Sequence, residues 1–480
     1  MLIRALLTLS LLCNPLAAAD LPDLGDVSRQ YFSEQEEQTL SRAIMRDIYA
    51  DPQYLDDPEI EAYLNDLGYR LVAVSSRNQR DFNFFVIADN SINAFALPGG
   101  NIGVHTGLLL AAQSESELAS VLAHEIAHVT QDHLARMVAA QTRAYWPSMA
   151  ALALALLAAR SNANVAGAAI ASTQALTLQN QLNYTREYER EADRLGYEML
   201  TRAGFDPRAM PAFFNRLQRA NRISDTSAPA YLRTHPLTSE RIADMEARAQ
   251  GTPYVQIPDS LDFALVRARI KALEGTPAEA VGDFRSRLAD RRFSVEAEAR
   301  YGLALALLRA RQYAAAEDEI QKLMADHSHT SPLLASLAAR SARESGRLDV
   351  AIARYRTAVA SYPGYRPLLY GYAEALLAAD RVRDALAFLD AQTALWPRDI
   401  RLWHLAAQAH ARVGQRLQSH RAEAEAQALL GNLAAAIEQI NLGIKAGDGS
   451  FYELSAAEAR RREWIEQERS LRKPGPPDRP

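Results

Sequence analysis

The chain has a single cysteine, Cys13, among its 480 residues. That scarcity leaves no room for a disulfide-stapled scaffold. Basic residues are not in excess: the formal net charge is −5, which argues against nucleic acid as a partner. Long apolar runs are missing too. The stretch Ala144 to Ala159 has no charged residue, and a second small-residue stretch runs from Val165 to Leu178. Neither is a convincing span of about 20 apolar residues. They read as a helical hairpin over the active-site region, with a lid role or a peripheral contact with a membrane surface as its two uses.

The composition that remains, 48% hydrophobic and 23% charged, is globular and long enough for two or more domains. Met1 to Ala19 stands apart. It carries one positive charge (Arg4), an apolar run from Ala5 to Leu12 and a small-residue end, Ala17-Ala18-Ala19. This is the pattern of a secretory signal peptide cleaved before Asp20. The alternative, an anchor helix, is too short to span a bilayer, and Leu12 before Cys13 speaks against lipidation. Loss of Arg4 takes the charge from −5 to −6 and leaves no cysteine.

The chemistry is concentrated in Leu122-Ala123-His124-Glu125-Ile126-Ala127-His128-Val129. Residues four apart on a helix share a face, so His124 and His128 can grip one metal ion. Glu125 is then placed to act on water rather than on the metal, the arrangement of a zinc metallopeptidase. Apolar neighbours predict a buried helix, and two buried histidines without a partner would be costly. Ser114 supplies the N-cap, with Glu115 and Glu117 in the first turn. His133 is at neither i+3 nor i+4 from His128 and reads as a polar contact near the helix end, not a ligand.

Upstream, residues 35–71 alternate charged and apolar positions at helical spacing, cut by Asp51-Pro52 and Asp57-Pro58 into two or three helices. Phe82 to Ile87 reads as a strand, and Asn93 to His105 as strand, turn, strand around Pro98-Gly99-Gly100. A small sheet edge beside the metal helix suits pairing with an extended peptide. A purely structural hairpin is the equal alternative. Downstream, Glu189 and Asp193 lie four apart on one helix face. One can bind metal while the other holds a ligand histidine by its far nitrogen. A solvated Glu-rich surface is the alternative, and spacing alone does not choose.

His124-Glu125-Ile126-Ala127-His128, Glu189-Arg190-Glu191-Ala192-Asp193-Arg194-Leu195-Gly196, Thr234-His235-Pro236 leading to Arg241-Ile242, and Asn93-Ala94-Phe95-Ala96-Leu97-Pro98-Gly99-Gly100 together resemble the gluzincin family of HtpX and the CAAX-prenyl endopeptidases. The likeness is to its soluble periplasmic branch with helical repeats. It implies one zinc ion per chain held by His124, His128 and Glu189, Glu125 as general base and Asp193 as a supporting carboxylate. His235 is implied as a fourth, regulatory ligand that holds the enzyme at rest. Without the likeness, His235-Pro236 reads sooner as a loop-shaping pair than as a ligand. The resemblance also implies outer-membrane β-barrel proteins as substrates, the β-barrel assembly machinery as partner of the repeats, and the periplasm as compartment.

After Pro253 the character changes. Ala280, Ala316, Ala351, Ala385 and Ala436 follow one another at spacings of 36, 35, 34 and 51 residues. A large residue stands four positions after each: Phe284, Ile320, Tyr355, Leu389 and Ile440. This period fits tetratricopeptide repeats, helix pairs stacked into a solenoid. The spacing of 51 predicts an extra helix before the last repeat.

The expected fold is mainly α. An α+β metallopeptidase domain with a small sheet spans residues 20–252 after the signal peptide, 1–19. A repeat solenoid follows at 253–460, then a partly disordered tail at 461–480. Two functions outside proteolysis stay open: an assembly factor with a silent site, and a repeat scaffold with a vestigial protease.

Overall fold

The computed structural model describes residues 33–77, 81–140, 186–223, 230–252, 256–293, 295–325 and 330–472. The expected signal peptide and the expected hairpin at 144–178 lie outside these residues.

The prolines punctuate the first helices as the sequence predicts. Helix α1 (Glu34–Tyr49) starts in a capping box between Ser33 and Glu36. Helix α2 (Pro58–Val72) starts with Pro58 at its first turn, and the Asp57 carboxylate accepts from the Glu59 and Ile60 N–H groups. Three short strands follow: β1 (Asn83–Ile87), β2 (Ala94–Leu97) and β3 (Asn101–His105). The sheet order is β1-β3-β2, with β1 parallel to the central β3 and β2 antiparallel to it at one edge. Alternation along β1 serves two layers: Phe84 and Val86 face the main core, whereas Phe85 and Ile87 pack against Ile44, Met45 and Ile48 of α1.

A short helix α3 (Thr106–Ala111) leads into α4 (Glu115–Thr130), the histidine helix. It is capped by the Ser114 hydroxyl and buried along its whole length. Then come α5 (His133–Ala140), α6 (Arg186–Arg202), α7 (Ala209–Ile223), α8 (Ala230–Thr234) and α9 (Ser239–Gln250). Helix α4 packs against α6, α2, α7 and the edge strand β2.

Helix pairs stack from there on: α10 (Leu261–Leu273), α11 (Pro277–Ala289), α12 (Glu296–Arg309), α13 (Tyr313–Ala325), α14 (Pro332–Glu344), α15 (Leu348–Ser361), α16 (Arg366–Ala378) and α17 (Val382–Leu395). After them come α18 (Ile400–Arg412), α19 (Arg416–Leu429), α20 (Leu433–Ala446) and α21 (Phe451–Arg472). The phased alanines are buried, and so are the large residues four positions on. On the facing helix a partner gives way: a Cβ added at Gly302 would meet the Phe284 ring at 2.1 Å. Between α17 and α20 stand two helices, α18 and α19, where a regular step holds one, and this accounts for the spacing of 51. The last helix runs on to Arg472, so 461–472 is helical rather than tail. Trp464 explains it: the ring is buried with Leu417, Ala436 and Ile440 and holds α21 on the preceding pair.

One hydrophobic cluster runs from Ile60 to Ala338, across the expected boundary at 253. Two polar joints cross it as well. Buried Arg269 on α10 places Nε 2.8 Å from both Asp57 carboxylate oxygens and pairs with Glu59, which also takes the Ser336 hydroxyl from α14. At the start of α4, Glu115 accepts from Tyr63 (2.9 Å) and from the Ser260 hydroxyl (2.6 Å), while its own N–H donates to Asp259 (2.7 Å). Further along, Arg401 pairs with Asp56 and Arg398 with Asp81. A cavity of about 390 Å³ lies there, lined in part by Tyr54, Glu61, Arg366 and Tyr370. Burial, joined by the charges of Asp57 and Asp399, pushes the Glu61 carboxyl up to about 7 against the Tyr54 hydrogen bond and Arg366.

Candidate metal centre

Helix geometry aims His124 and His128 the same way, and their Nε2 atoms stand 3.0 Å apart. Glu189 comes from α6, which can approach α4 closely because Gly196 faces it: a Cβ there would sit 3.1 Å from the His124 main-chain nitrogen. Glu189 Oε1 is 3.5 Å from His128 Nε2, and Oε2 is 3.5 Å from His124 Nε2. His235, just past α8, enters from the third side. Its Nδ1 is 3.0 Å from Glu189 Oε1 and 3.3 Å from His124 Nε2. All four side chains are buried, and their donor atoms lie within 4.8 Å of one another.

These separations test whether a metal fits. Around an ion with Zn–N and Zn–O bonds of about 2.0–2.1 Å, tetrahedral ligand atoms stand roughly 3.3–3.4 Å apart. Five separations, with both Glu189 oxygens counted, run from 3.0 to 3.5 Å and bracket that value, and the four donor atoms all lie within 4.8 Å of one another. Three imidazole nitrogens and a carboxylate oxygen are a donor set for a borderline-soft divalent cation. A cation at the centre would take the lone pairs of ring nitrogens that here face one another.

The electrostatics follow from depth. Burial opposes charge on His124, but hydrogen bonds and charges from Asp193 and Glu189 outweigh it and raise its pKa to about 9. Burial, reinforced by His124, pushes His128 well below the ordinary range. Burial also works against ionised Glu189 and Asp193. His235, His124 and Arg241 nonetheless hold Glu189 well below the usual carboxylate range, and Arg241 with His124 holds Asp193 below it.

Glu125 is different. Burial raises its pKa, only partly countered by His235, His124 and the Ala96 main chain on β2. Neither carboxylate oxygen has a well-formed hydrogen bond, and His235 Nε2 stands 3.4 Å from Oε1. A buried carboxylate left this way is costly unless a reaction uses it.

The structure brings together every residue singled out from the sequence: His124, Glu125, His128, Glu189, Asp193 and His235. Asp193 Oδ1 lies 3.0 Å from His124 Nδ1, so it holds that ring by the nitrogen turned away from the cluster. Three further residues surround the cluster. Buried Arg241 bridges Asp193 through Nε and Nη2 (2.6 and 2.8 Å), reaches Glu189 Oε2 with Nη1 (2.7 Å) and donates to the Pro236 carbonyl. Tyr231 stacks on His235 with ring centroids 4.7 Å apart, its hydroxyl buried. His133 meets His128 Nδ1-to-Nδ1 at 2.8 Å, and burial lowers its pKa to about 4. Arg241 carried a prior signal in the Thr234-His235-Pro236 to Arg241-Ile242 stretch, and His133 reads from the sequence as a polar contact near the helix end without its partner; Tyr231 carried none.

The family comparison agrees with this geometry. The model of peptidase family M48 matches residues 58–249, which hold the whole cluster, and a tetratricopeptide repeat model matches residues 342–409. Fold and site thus define a metalloendopeptidase of the M48 class joined to helical repeats. The chain is 38% identical to the putative beta-barrel assembly-enhancing protease of Vibrio cholerae over 87% of both chains. It is 33% identical to the beta-barrel assembly-enhancing protease of Escherichia coli over 88% of this chain and 87% of that one. A mitochondrial metalloendopeptidase OMA1 of Schizosaccharomyces pombe is 33% identical over 38% of this chain and 51% of its own. The chain belongs to the beta-barrel assembly-enhancing protease family.

Proposed function

We propose that the chain is a periplasmic zinc endopeptidase that degrades misassembled outer-membrane β-barrel proteins and assists the assembly of others, with His235 gating its site. The observation that carries this reading is the buried set of four donor atoms, all within 4.8 Å of one another, beside an ionisable, poorly hydrogen-bonded Glu125. His124, His128 and Glu189 would hold the ion. Zinc, when bound, supplies Lewis-acid polarisation of the scissile carbonyl and acidifies water. Glu125 accepts the proton of the attacking water and passes it to the leaving amine, a role its burial-raised pKa suits. Asp193 and Arg241 fix His124 and Glu189 in the orientation the ion needs. The edge strand β2, which runs against α4, is placed to pair with an extended substrate.

His235 makes this a resting arrangement. Its Nδ1 stands among the other donor atoms, where it would be a fourth ligand, and its Nε2 faces Glu125. Substrate therefore needs His235 displaced. The names of the relatives, the secretory N-terminal pattern and a repeat surface of the protein-binding kind support the outer-membrane reading. Among the described residues, no helix is long and apolar enough to cross a membrane. We divide the chain accordingly, with the peptidase at 20–252 and the repeats, which meet the assembly machinery, from 253.

His235 in that place equally favours an assembly factor with a silent site, and one experiment separates the two. Cleavage of an unfolded outer-membrane protein is measured with wild type and His235→Ala, zinc content being determined on the same samples. A quiet wild type and an active variant, each with one zinc, support the gated protease. Inactivity of both with one zinc each supports the assembly factor.

A further inference from the structure

Helix α4 ends at Thr130, and Asp132 adopts φ 52°, a left-handed turn. On an unbroken helix, His133 would be five residues, or about 140° of arc, away from His128. The turn instead starts α5 and swings the His133 ring back onto the ring it has just passed. The two Nδ1 atoms meet at 2.8 Å, and the His133 ring is completely buried. Its Nε2 lies 3.1 Å from Glu191 Oε2, which also takes Arg136 Nη1 at 2.9 Å. Tyr188 stacks on the His133 ring at a centroid distance of 4.7 Å, and the Arg136 guanidinium lies over that same tyrosine.

We propose that His133 is a positioning residue for the metal centre, the middle of a proton-ordered chain that runs from His128 through His133 to the Glu191–Arg136 pair. The proposal rests on the reading of His128 as a ligand through Nε2. With that nitrogen turned to the cluster, the His128 proton sits on Nδ1 and donates to His133 Nδ1. An accepting Nδ1 puts the His133 proton on Nε2, where Glu191 Oε2 accepts it. Arg136 keeps Glu191 ionised and fixed. Every donor in the chain then faces an acceptor. His124 is held by a carboxylate directly, through Asp193. His128 is held by a carboxylate one imidazole further away, because its far nitrogen faces α5 rather than α6. The Glu189-Arg190-Glu191 segment thereby serves both ends of the site: Glu189 points into the cluster and Glu191 braces the ring behind it.

The test is zinc affinity of the full-length chain, read by competition with a chromophoric chelator, for wild type, His133→Leu, His133→Asn, Glu191→Ala and His124→Ala. Loss of an outer hydrogen bond to a ligand histidine weakens zinc about 10- to 100-fold, and that is the effect expected of His133→Leu. His133→Asn, whose Oδ1 takes the place of the ring Nδ1 and restores an acceptor for His128, recovers most of the loss. Glu191→Ala, at the half-exposed end, weakens zinc less than His133→Leu does. Wild-type affinity in His133→Leu overturns the proposal, as does equal affinity of the Leu and Asn variants, because a packing role distinguishes neither. If His133→Leu does not fold, Glu191→Ala decides, and wild-type affinity there is the overturning result. His124→Ala separates the two levels: zinc retained in that variant removes the metal-site reading itself, whereas zinc lost there but kept in His133→Leu removes only the chain through His133.

Discussion

Helices α4 and α15 are close in length and opposite in design. Every residue of α4 is buried, including Glu115, Glu117, Ser120, His124, Glu125 and His128. On α15 only Ala351, Ile352, Tyr355 and Ala358 are buried, one face at helical spacing. The repeat helix is stabilised by apolar packing that its neighbours repeat along the solenoid. The site helix carries polar groups into the interior and needs a specific partner for each: Arg216 for Glu117, Asp193 for His124, His133 for His128. Neither carboxylate oxygen of Glu125 has a well-formed hydrogen bond. A fold keeps such a group where the chemistry requires it.

The largest expected effect sharpens this contrast at its centre. Glu125→Gln keeps volume and zinc but removes the base, so cleavage by a His235-displaced form falls about 10²- to 10⁴-fold while metal content stays at one per chain. Metal analysis beside a cleavage assay checks both halves, and loss of zinc would make Glu125 structural instead. A second substitution probes the repeat side. Ile320→Ala empties a groove that the phased alanines shape, and destabilises by about 2–5 kcal/mol. Urea unfolding measures it, and zinc affinity should be unmoved. The smallest effect concerns the cavity between the halves. The folded pKa of Glu61, about 7, is raised above the ordinary carboxylate value. The native state therefore binds more protons than the unfolded chain between about pH 4.5 and 7, and the residue subtracts stability as pH rises through that window. Glu61→Gln relieves the penalty, on the order of 1–3 kcal/mol above pH 7 and little at pH 4.5. Melting temperatures of both proteins at pH 5 and pH 8 check it, and an equal difference at the two pH values would contradict it.

Much of this was legible in the residues. The repeats announced themselves because each unit solves the same packing problem locally, alanine against a large residue four positions on. His124 and His128 were legible for a related reason, since they share one helix face, whereas for Glu189 and Asp193 spacing left a solvated surface equally open and only the family resemblance singled them out. What stayed hidden depends on the chain turning back or reaching far. His133 joins the site only because Asp132, not a glycine, takes a left-handed turn. The parallel pairing of β1 with β3 is a topological fact with no local pattern. Arg241 was visible as a letter in a motif, but its three-way bridge forms only when α6 and α9 meet.

The hydrogen bonds of Glu115 to Asp259 and Ser260 carry one more consequence. They bolt the first turn of the histidine helix to the threshold of the solenoid. The N-terminal turn of α4 and the residues that open α10 therefore share one set of hydrogen bonds, so neither end can shift without giving up partners of the other.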